Sequence, residues 1–215
     1  MRIMKGRISA VWLVFFGAFL LAADYEVKTV KVLPIESYPA RATLGEVTIA
    51  ADPYDTNEKS FSAFDVKNLN SRGYFPLHVI IKNSSRDFLT IPTRNIILII
   101  ASGQHLYTTP ATVVVGDVIK ASLISKFPKM KSHDQSTSTK AGSPLSDFTG
   151  KELTNRLVDP GSTSDGFLFF FTPDPEKNLF SGSTLYIPKL EEEGTHKALG
   201  PFSIPLDPAL SSSKK

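Results

Sequence analysis

The chain has 215 residues, with 24 Lys and Arg against 21 Asp and Glu, a formal net charge of +3, and no cysteine. The lack of cysteine excludes thiol catalysis, thiolate metal sites, disulfides and lipid attachment to cysteine. A chain of this length is long enough to form a hydrophobic core within one domain.

The N-terminus has the pattern of a secretory signal peptide. Three basic residues precede the apolar run ISAVWLVFFGAFLLAA, residues 8–23, which is shorter than the roughly 20 apolar residues of a membrane-spanning helix. The small side chain of Ala22 predicts cleavage after that residue, so residues 1–22 form the signal peptide. Leu20 is larger than the residue usually found three positions before cleavage. An uncleaved inner-membrane anchor formed by residues 8–23 is therefore the alternative.

Removal of the signal peptide changes the charge balance. Its three basic residues account for the whole +3 excess, so the mature chain is formally neutral. A neutral chain gives no sign of the basic face that nucleic-acid binding needs. An exported fold without cysteine depends on its core, which fits a bacterial envelope protein. We expect a periplasmic or extracellular protein that has no nucleic-acid partner and contacts the membrane only through an unprocessed N-terminal segment.

The mature sequence is typical of β-structure. Short runs rich in Val and Ile, separated by Asn, Ser, Gly and Pro, favour a sandwich or a barrel. The runs in the first half are residues 25–33, 42–51, 75–83, 87–91 and 95–102. The last of them contains IILII, which does not alternate and therefore predicts a strand buried on both faces.

Two helices are predicted after these strands. Residues 115–127 carry apolar side chains four residues apart, as on one face of a helix. Residues 146–161 have the same spacing and stop at Pro160-Gly161, which is a helix-ending signal. Between them, residues 128–144 contain almost no apolar side chains, so burial cannot offset their ordering entropy. We expect this segment to be a mobile, disordered excursion.

The C-terminal third returns to β-structure, with runs at residues 165–173, 183–190 and 200–206. Prolines limit these runs, because proline cannot donate to a strand ladder. The densest apolar run of the mature chain, GFLFFF, is predicted to be the central strand of the core. Residues 23–208 are thus predicted to form a single, mainly β domain, and residues 209–215 a disordered tail.

Three turn motifs lie between residues 77 and 173. They are Asn83-Ser84-Ser85 after a strand, Gly103 followed by Tyr107, and Pro160-Gly161 before Gly166-Phe167. In this order they resemble secreted bacterial immunoglobulin-like domains of unknown function. The resemblance implies an immunoglobulin-like antiparallel β-sandwich, and it implies no activity. The helical excursion is longer than such domains carry, and the paired cysteines and core tryptophan of antibody domains are absent.

The common hydrolase, metalloprotease and phosphate-loop motifs are absent from the sequence. His133 and His196 lie in polar segments, where a solvated side chain is expected. His78 is predicted on the outer face of a strand and His105 in a hairpin. A metal pair of His78 and His105 would need adjacent strands and a carboxylate as a further ligand. We predict no catalytic residue and no cofactor.

The acidic loop AADPYDTNEKSFSAF, residues 50–64, contains Asp52, Asp55 and Glu58. Their spacing of three residues differs from the ligand spacing of an EF-hand, and the loop has no glycine. Asp and Asn side chains commonly bind nearby backbone amides in turns, so the main prediction is a polar turn. A weak Ca²⁺ site or a hydrolytic site formed by the three acids is the alternative.

The same loop also carries aromatic residues. Tyr54 is predicted at its tip and exposed, with Phe61 close by, so the two rings are predicted to form a contact surface. The resulting hypothesis is an exported, non-enzymatic binding or accessory protein of the bacterial cell envelope. It would contact an envelope protein or polymer through loops or a strand edge. The alternative is a secreted hydrolase or a weak Ca²⁺-binding protein that uses the acidic loop.

Overall fold

The computed structural model describes residues 25–126, 143–154 and 157–211. The predicted signal peptide, most of the predicted mobile segment and the last four residues of the tail lie outside these ranges. The fold of the described residues is mainly β, with three antiparallel four-stranded sheets and three α-helices.

The strands are, in chain order, β1 (Arg41–Leu44), β2 (Val47–Pro53), β3 (Tyr74–Asn83), β4 (Leu89–Thr90), β5 (Ile97–Ile99), β6 (His105–Tyr107), β7 (Leu157–Val158), β8 (Thr163–Phe171), β9 (Thr184–Ile187), β10 (Leu190–Glu192), β11 (Ala198–Leu199) and β12 (Phe202–Pro205). The helices are α1 (Asn57–Ala63), α2 (Ala111–Lys126) and α3 (Pro144–Lys151). Short 3-10 turns occupy Ile35–Ser37, Asn70–Arg72, Thr93–Asn95 and Asp207–Ala209. No helix in the described ranges combines the length and apolarity needed to cross a membrane.

Two sheets pack face to face and enclose the main core, an arrangement consistent with a β-sandwich. The main sheet has the order β1-β2-β3-β8, and the second sheet has the order β12-β9-β5-β6. The side chains that meet between them are buried and apolar: Val47, Ile49, Leu77, Val79, Leu98, Leu168, Phe170, Leu185, Ile187, Phe202 and Ile204. Each such side chain contributes about 1.5–3 kcal/mol through its burial. The third sheet, β11-β10-β4-β7, adds further leucines to this core.

The opposite face of the main sheet is also covered. Phe167 and Phe169 of β8 point to this side, where they pack against Phe64 after α1 and Phe148 of α3. Apolar side chains at the start of α2 complete this second cluster. The main sheet is therefore covered on both faces at β3 and β8, and β3 is buried along nearly all of its length, whereas β1 at the sheet edge is largely exposed.

Each predicted β run after residue 40 overlaps at least one strand of the structure. The run 42–51 is a hairpin rather than one strand, because Gly45 adopts a left-handed backbone with φ +59° and reverses the chain between β1 and β2. The GFLFFF run is core up to Phe170, whereas its last residue, Phe171, is exposed. The strand is not central, since β8 lies at the end of the main sheet's strand order and β3 lies inside it.

Three other secondary-structure predictions were wrong. Residues 25–33 belong to no strand, and this N-terminal segment is held by side-chain hydrogen bonds instead. The helix predicted at 146–161 ends at Lys151, because Leu153 donates its backbone N–H to Phe167 O at 2.8 Å and runs beside β8. The IILII run is not buried on both faces, since in β5 only the central Leu98 is buried.

The helix predicted at 115–127 is confirmed up to Lys126, since residue 127 lies outside the described residues, and the helix begins earlier, at Ala111. The described part of the predicted tail is also in place, since Ala209 ends a 3-10 turn and Ser211 binds Asp55. This contact contradicts the prediction that the tail is disordered from residue 209.

Candidate functional site

The three acids of the acidic loop lie in different surroundings, and Asp52 and Asp55 have separate partners. Asp52 of β2 forms an ion pair with Lys59, with 2.7 Å between Oδ1 and Nζ. Asp55 is buried and accepts hydrogen bonds from the backbone N–H and the hydroxyl of Ser211, at 3.0 and 2.7 Å. Glu58 is exposed in the first turn of α1, where its charge favours the helix N-terminus. These contacts give Asp52 and Asp55 structural roles.

The polar turn predicted for this loop is in fact the start of a helix. Thr56 caps α1 by accepting a hydrogen bond from Lys59 N at 3.2 Å. In the described part of the chain, no group of three or more His, Asp or Glu side chains is placed to hold a metal ion.

The prediction that Tyr54 is exposed was wrong. Its residue surface is only 7% exposed, and its ring meets the edge of the Phe167 ring at a centroid distance of 5.1 Å. Burial raises the pKa of the Tyr54 hydroxyl above its ordinary value, and the nearby Asp52 carboxylate adds to the increase. Phe61 is half-buried and carries the Lys28 ammonium 5.2 Å from its ring centroid. Tyr54 therefore belongs to the core, and the two rings do not form the predicted exposed pair.

His78 lies inside the fold and not on an outer face. Its side chain is 1% exposed, and its Nε2 lies 2.8 Å from Oδ2 of Asp165, whose side chain is 40% exposed. The imidazole also stacks on Phe167 at a centroid distance of 4.6 Å. Little of the imidazole surface is accessible, and its neighbours are Asp165, Phe167 and Tyr54, whose ring centroid lies 6.4 Å away.

His78 and His105 do not form a metal pair, the arrangement that would have needed adjacent strands. His78 is in the main sheet and His105 is exposed in the second sheet, so the two strands are not adjacent. The hairpin predicted around His105 is confirmed by the pairing of β5 with β6. His196 is exposed in a turn beside Glu191, as predicted, and His133 lies outside the described residues.

A partly buried polar network connects the N-terminal segment to the helices. Tyr25 donates its hydroxyl to Asp147 at 2.6 Å, and Asp147 pairs with Lys151 at 2.7 Å. Lys151 also donates to the backbone oxygen of Ala63 at 2.6 Å. Burial, followed by the hydrogen bond to Asp147, raises the pKa of Tyr25 above its ordinary value. The Asp147 carboxylate and the Lys151 ammonium compensate each other within the fold, so the network has a structural role.

An open groove of about 410 Å³ lies beside the outer edge of β8. We call it the threonine groove after the side chains that dominate its walls: Thr93, Arg94, Thr108, Thr109, Glu152 and Thr154. These residues come from three connections: the 3-10 turn before β5, the link between β6 and α2, and the extended stretch after α3. Leu168 and Phe169 of β8 form its floor.

Backbone hydrogen bonds fix the walls of the threonine groove against the sheet. Thr109 N donates to Phe169 O at 2.7 Å, and Leu153 N donates to Phe167 O at 2.8 Å. The Glu152 carboxylate accepts the backbone N–H of Ala111 at 3.0 Å and so caps α2. The groove thus presents hydroxyl donors and acceptors with one exposed guanidinium, a set that suits a hydrogen-bonding ligand.

Sequence reasoning did not find the threonine groove. Its walls are separated by more than 40 residues of sequence, between Thr109 and Glu152, and no local pattern links them. The nearest signal is the threonine pair Thr108-Thr109 before Pro110, which by itself predicts only a connection.

The structure thus defines the class of protein: mainly β, with three antiparallel sheets consistent with a β-sandwich and an open groove at a sheet edge. No protein-family model matches the chain, and no curated protein matches it. Among solved structures it is similar to the yjhA protein from Bacillus subtilis, with 11% identity over 82% of this chain and 86% of that chain and a TM-score of 0.39. It is also similar to a functionally unknown protein from Listeria monocytogenes EGD-e, with 11% identity over 77% and 79% of the two chains and a TM-score of 0.35. Similarities this distant carry no functional argument.

Proposed function

We propose that this chain is an exported, non-enzymatic binding or accessory protein of the bacterial cell envelope. We also infer that its scaffold is a sandwich of the immunoglobulin-like type, on which connections and a strand edge contact the partner. The threonine groove carries the proposal, because it is open, polar and built where three connections meet the edge of β8. Binding residues are commonly placed on connections that a rigid scaffold positions.

The contacts of the ionisable side chains favour binding over turnover. A general base must reach the proton that it removes, and the His78 imidazole is occupied by Asp165 and Phe167 inside the fold. Glu152, the carboxylate of the groove, is already engaged by the N-terminus of α2. These groups hold structure in place, whereas Arg94 and Thr154 are exposed in the groove, where a ligand can reach them.

The partner that suits the groove is an extended, polar segment of an envelope protein or polymer. A volume of about 410 Å³ takes a short segment of such a chain, and the groove is open enough for the segment to continue on either side. Hydroxyls both donate and accept, so they pair with amide or hydroxyl groups of the ligand. The guanidinium of Arg94 carries a permanent positive charge, which attracts an acidic or hydroxylated group of the ligand into the groove.

The groove can be tested by capture of isolated cell-wall polymer and of solubilised envelope proteins on immobilised mature protein. Arg94→Glu should reduce capture by roughly tenfold, as expected when a charged contact is reversed. Thr154→Trp should have a similar effect, because Thr154 is exposed and the indole would fill the groove. Arg86→Glu is the matched control, since Arg86 is an exposed arginine outside the groove.

Two outcomes of the capture experiment would count against the proposal. Equal capture by the wild type and all three variants would remove the groove as the binding site. Release of soluble fragments from the polymer during incubation would favour the hydrolase alternative, and loss of that activity in Asp52→Asn, Asp55→Asn would place it in the acidic loop.

Export can be tested separately from binding, through cleavage of the signal peptide. Trp12 is the only tryptophan of the chain, so cleavage after Ala22 yields a protein with tyrosine-like emission. We expect the protein purified from the periplasm or medium of an expressing bacterium to have an intact mass that begins at Ala23. A mass that includes Met1, together with tryptophan emission in the membrane fraction, would instead identify the uncleaved anchor.

A further inference from the structure

We propose that a second pocket, at the end of β8, binds one pyranose ring of a neutral glycan. The pocket has a volume of about 320 Å³ and is lined by Arg72, Tyr74, Asp117 and Phe171. We call it the aromatic pocket. The inference rests on the proposed function in one respect: the cell envelope is the source of the glycan.

Phe171 supplies an exposed aromatic face. It is the last residue of the GFLFFF run, and 44% of its surface is exposed, whereas Phe169 and Phe170 are buried. A pyranose ring has a flat face of C–H groups that packs against such a ring, because the face of an aromatic ring is negative and C–H groups are weakly positive.

The Phe171 ring is held in place before any ligand arrives. Its centroid lies 5.1 Å from that of Tyr74, with 46° between the ring planes. On another side it lies against the backbone of Gly73, where a Cβ atom would come within 3.0 Å of Phe171 Cε2 and 2.2 Å of Thr172 O. Gly73 also has φ +86°, so both space and backbone conformation require glycine there. A ring fixed in this way loses little conformational entropy on binding.

The polar rim of the aromatic pocket is fixed as well. Tyr74 donates its hydroxyl to the Asp117 carboxylate. Arg72 donates Nη1–H to Val118 O and Nε–H to the side chain of Asn68, both at 3.1 Å, so the plane of its guanidinium is set by the protein. Burial, followed by the hydrogen bond to Asp117, raises the pKa of Tyr74 to about 12, so the hydroxyl remains a donor at neutral pH.

The charges of the rim favour a neutral ligand. Arg72 and Asp117 have opposite signs and line the same pocket, so neither an anion nor a cation gains from both. Sugar hydroxyls use both groups, since they accept from guanidinium N–H groups and donate to a carboxylate. The pocket volume is at the lower end for small-ligand sites, which suits a single ring of a longer glycan.

The test is a calorimetric titration of the mature protein with two oligosaccharides, the N-acetylglucosamine tetramer and cellotetraose. Phe171→Ala should weaken binding of at least one of them roughly tenfold, the loss of one ring-stacking contact. Phe88→Ala is the matched control, because Phe88 is equally exposed at 44% and lies outside the pocket. Its Kd should equal that of the wild type. Each substitution should lower the thermal midpoint to a similar, small extent, because the two residues are equally exposed, at 44%.

The inference is overturned if the wild type binds neither oligosaccharide at millimolar concentration, or if Phe171→Ala binds as tightly as Phe88→Ala. Envelope capture that depends on Arg94 but not on Phe171 would leave the proposed function standing and remove the glycan pocket. Oligosaccharide binding that depends on Phe171, with no capture of any envelope component, would support the glycan pocket and contradict the proposed function.

Discussion

Asn83→Asp will lower the free energy of unfolding by about 3 kcal/mol or more, because it places a carboxylate where a buried amide now donates. The Asn83 side chain is 0% exposed, and its Nδ2 donates to the backbone oxygens of Asp87, Val158 and Asp159 at 2.8, 3.1 and 3.3 Å. An aspartate oxygen in that position would face three carbonyl oxygens without a proton to donate.

The acceptor side of the same amide explains why aspartate is the most informative change. Oδ1 of Asn83 accepts from the backbone N–H of Ser85 at 3.0 Å and from its hydroxyl at 2.7 Å. Aspartate preserves these two bonds and changes only the donor side. Asn83→Ala removes both sides, and we expect it to cost about 2–4 kcal/mol through the buried carbonyls that it leaves unpaired.

Urea unfolding will measure both changes. Ser84→Ala is the control, because Ser84 is the exposed neighbour in the same turn and should shift the free energy of unfolding by about 0.5 kcal/mol or less. A loss for Asn83→Asp no larger than that of Ser84→Ala would show that the amide does not join β3 to the segment before β4 and to the end of β7.

Asn83 also shows which structural features a local sequence motif can predict and which it cannot. The motif Asn83-Ser84-Ser85 predicts that a strand ends there, and β3 does end at Asn83. The bonds to Val158 and Asp159 cross about 75 residues of chain, and no local pattern specifies them. Turn chemistry was therefore predictable, whereas the joining of distant segments was not.

The error for His78 has a related cause. Alternation along a strand predicts which side chains share a face, and His78 does lie on the face opposite to Leu77 and Val79. The inference that this face is solvated fails, because the helices and the N-terminal segment cover it. The helices and the N-terminal segment that cover this face come from other parts of the sequence, and their positions depend on non-local packing.

The two candidate binding sites differ in how visible they are in the sequence. The threonine groove brings together connections that no spacing relates. Phe171 is part of a conspicuous run, but five neighbouring apolar residues predict burial for all of them, and only the fold shows that β8 leaves the core at its last residue. Exposed ends of buried strands are thus poorly predicted by composition alone.

Tyr54→Ala is expected to lower the free energy of unfolding by about 3–5 kcal/mol, the range for removing a large ring from a core. The ring fills the space between β2, α1 and β8, where it meets Phe167 edge-on and carries the Lys59 ammonium 5.2 Å from its centroid. The backbone oxygen of Tyr54 accepts from Asn70 Nδ2 at 2.8 Å, and this bond survives the substitution. The loss therefore measures packing of the ring and not the capping of the loop.

Two variants separate this role from an exposed contact. Phe61→Ala, from the same loop, should cost about 1 kcal/mol, because Phe61 is only half-buried and loses mainly its contact with Lys28. Tyr54→Phe keeps the packed ring and should stay within about 1 kcal/mol of the wild type. Thermal and urea unfolding of the three variants give the comparison. If Tyr54→Ala unfolded at the same midpoint as the wild type and instead lost envelope capture, Tyr54 would be a binding residue after all, and the aromatic cluster beneath α1 would not depend on it.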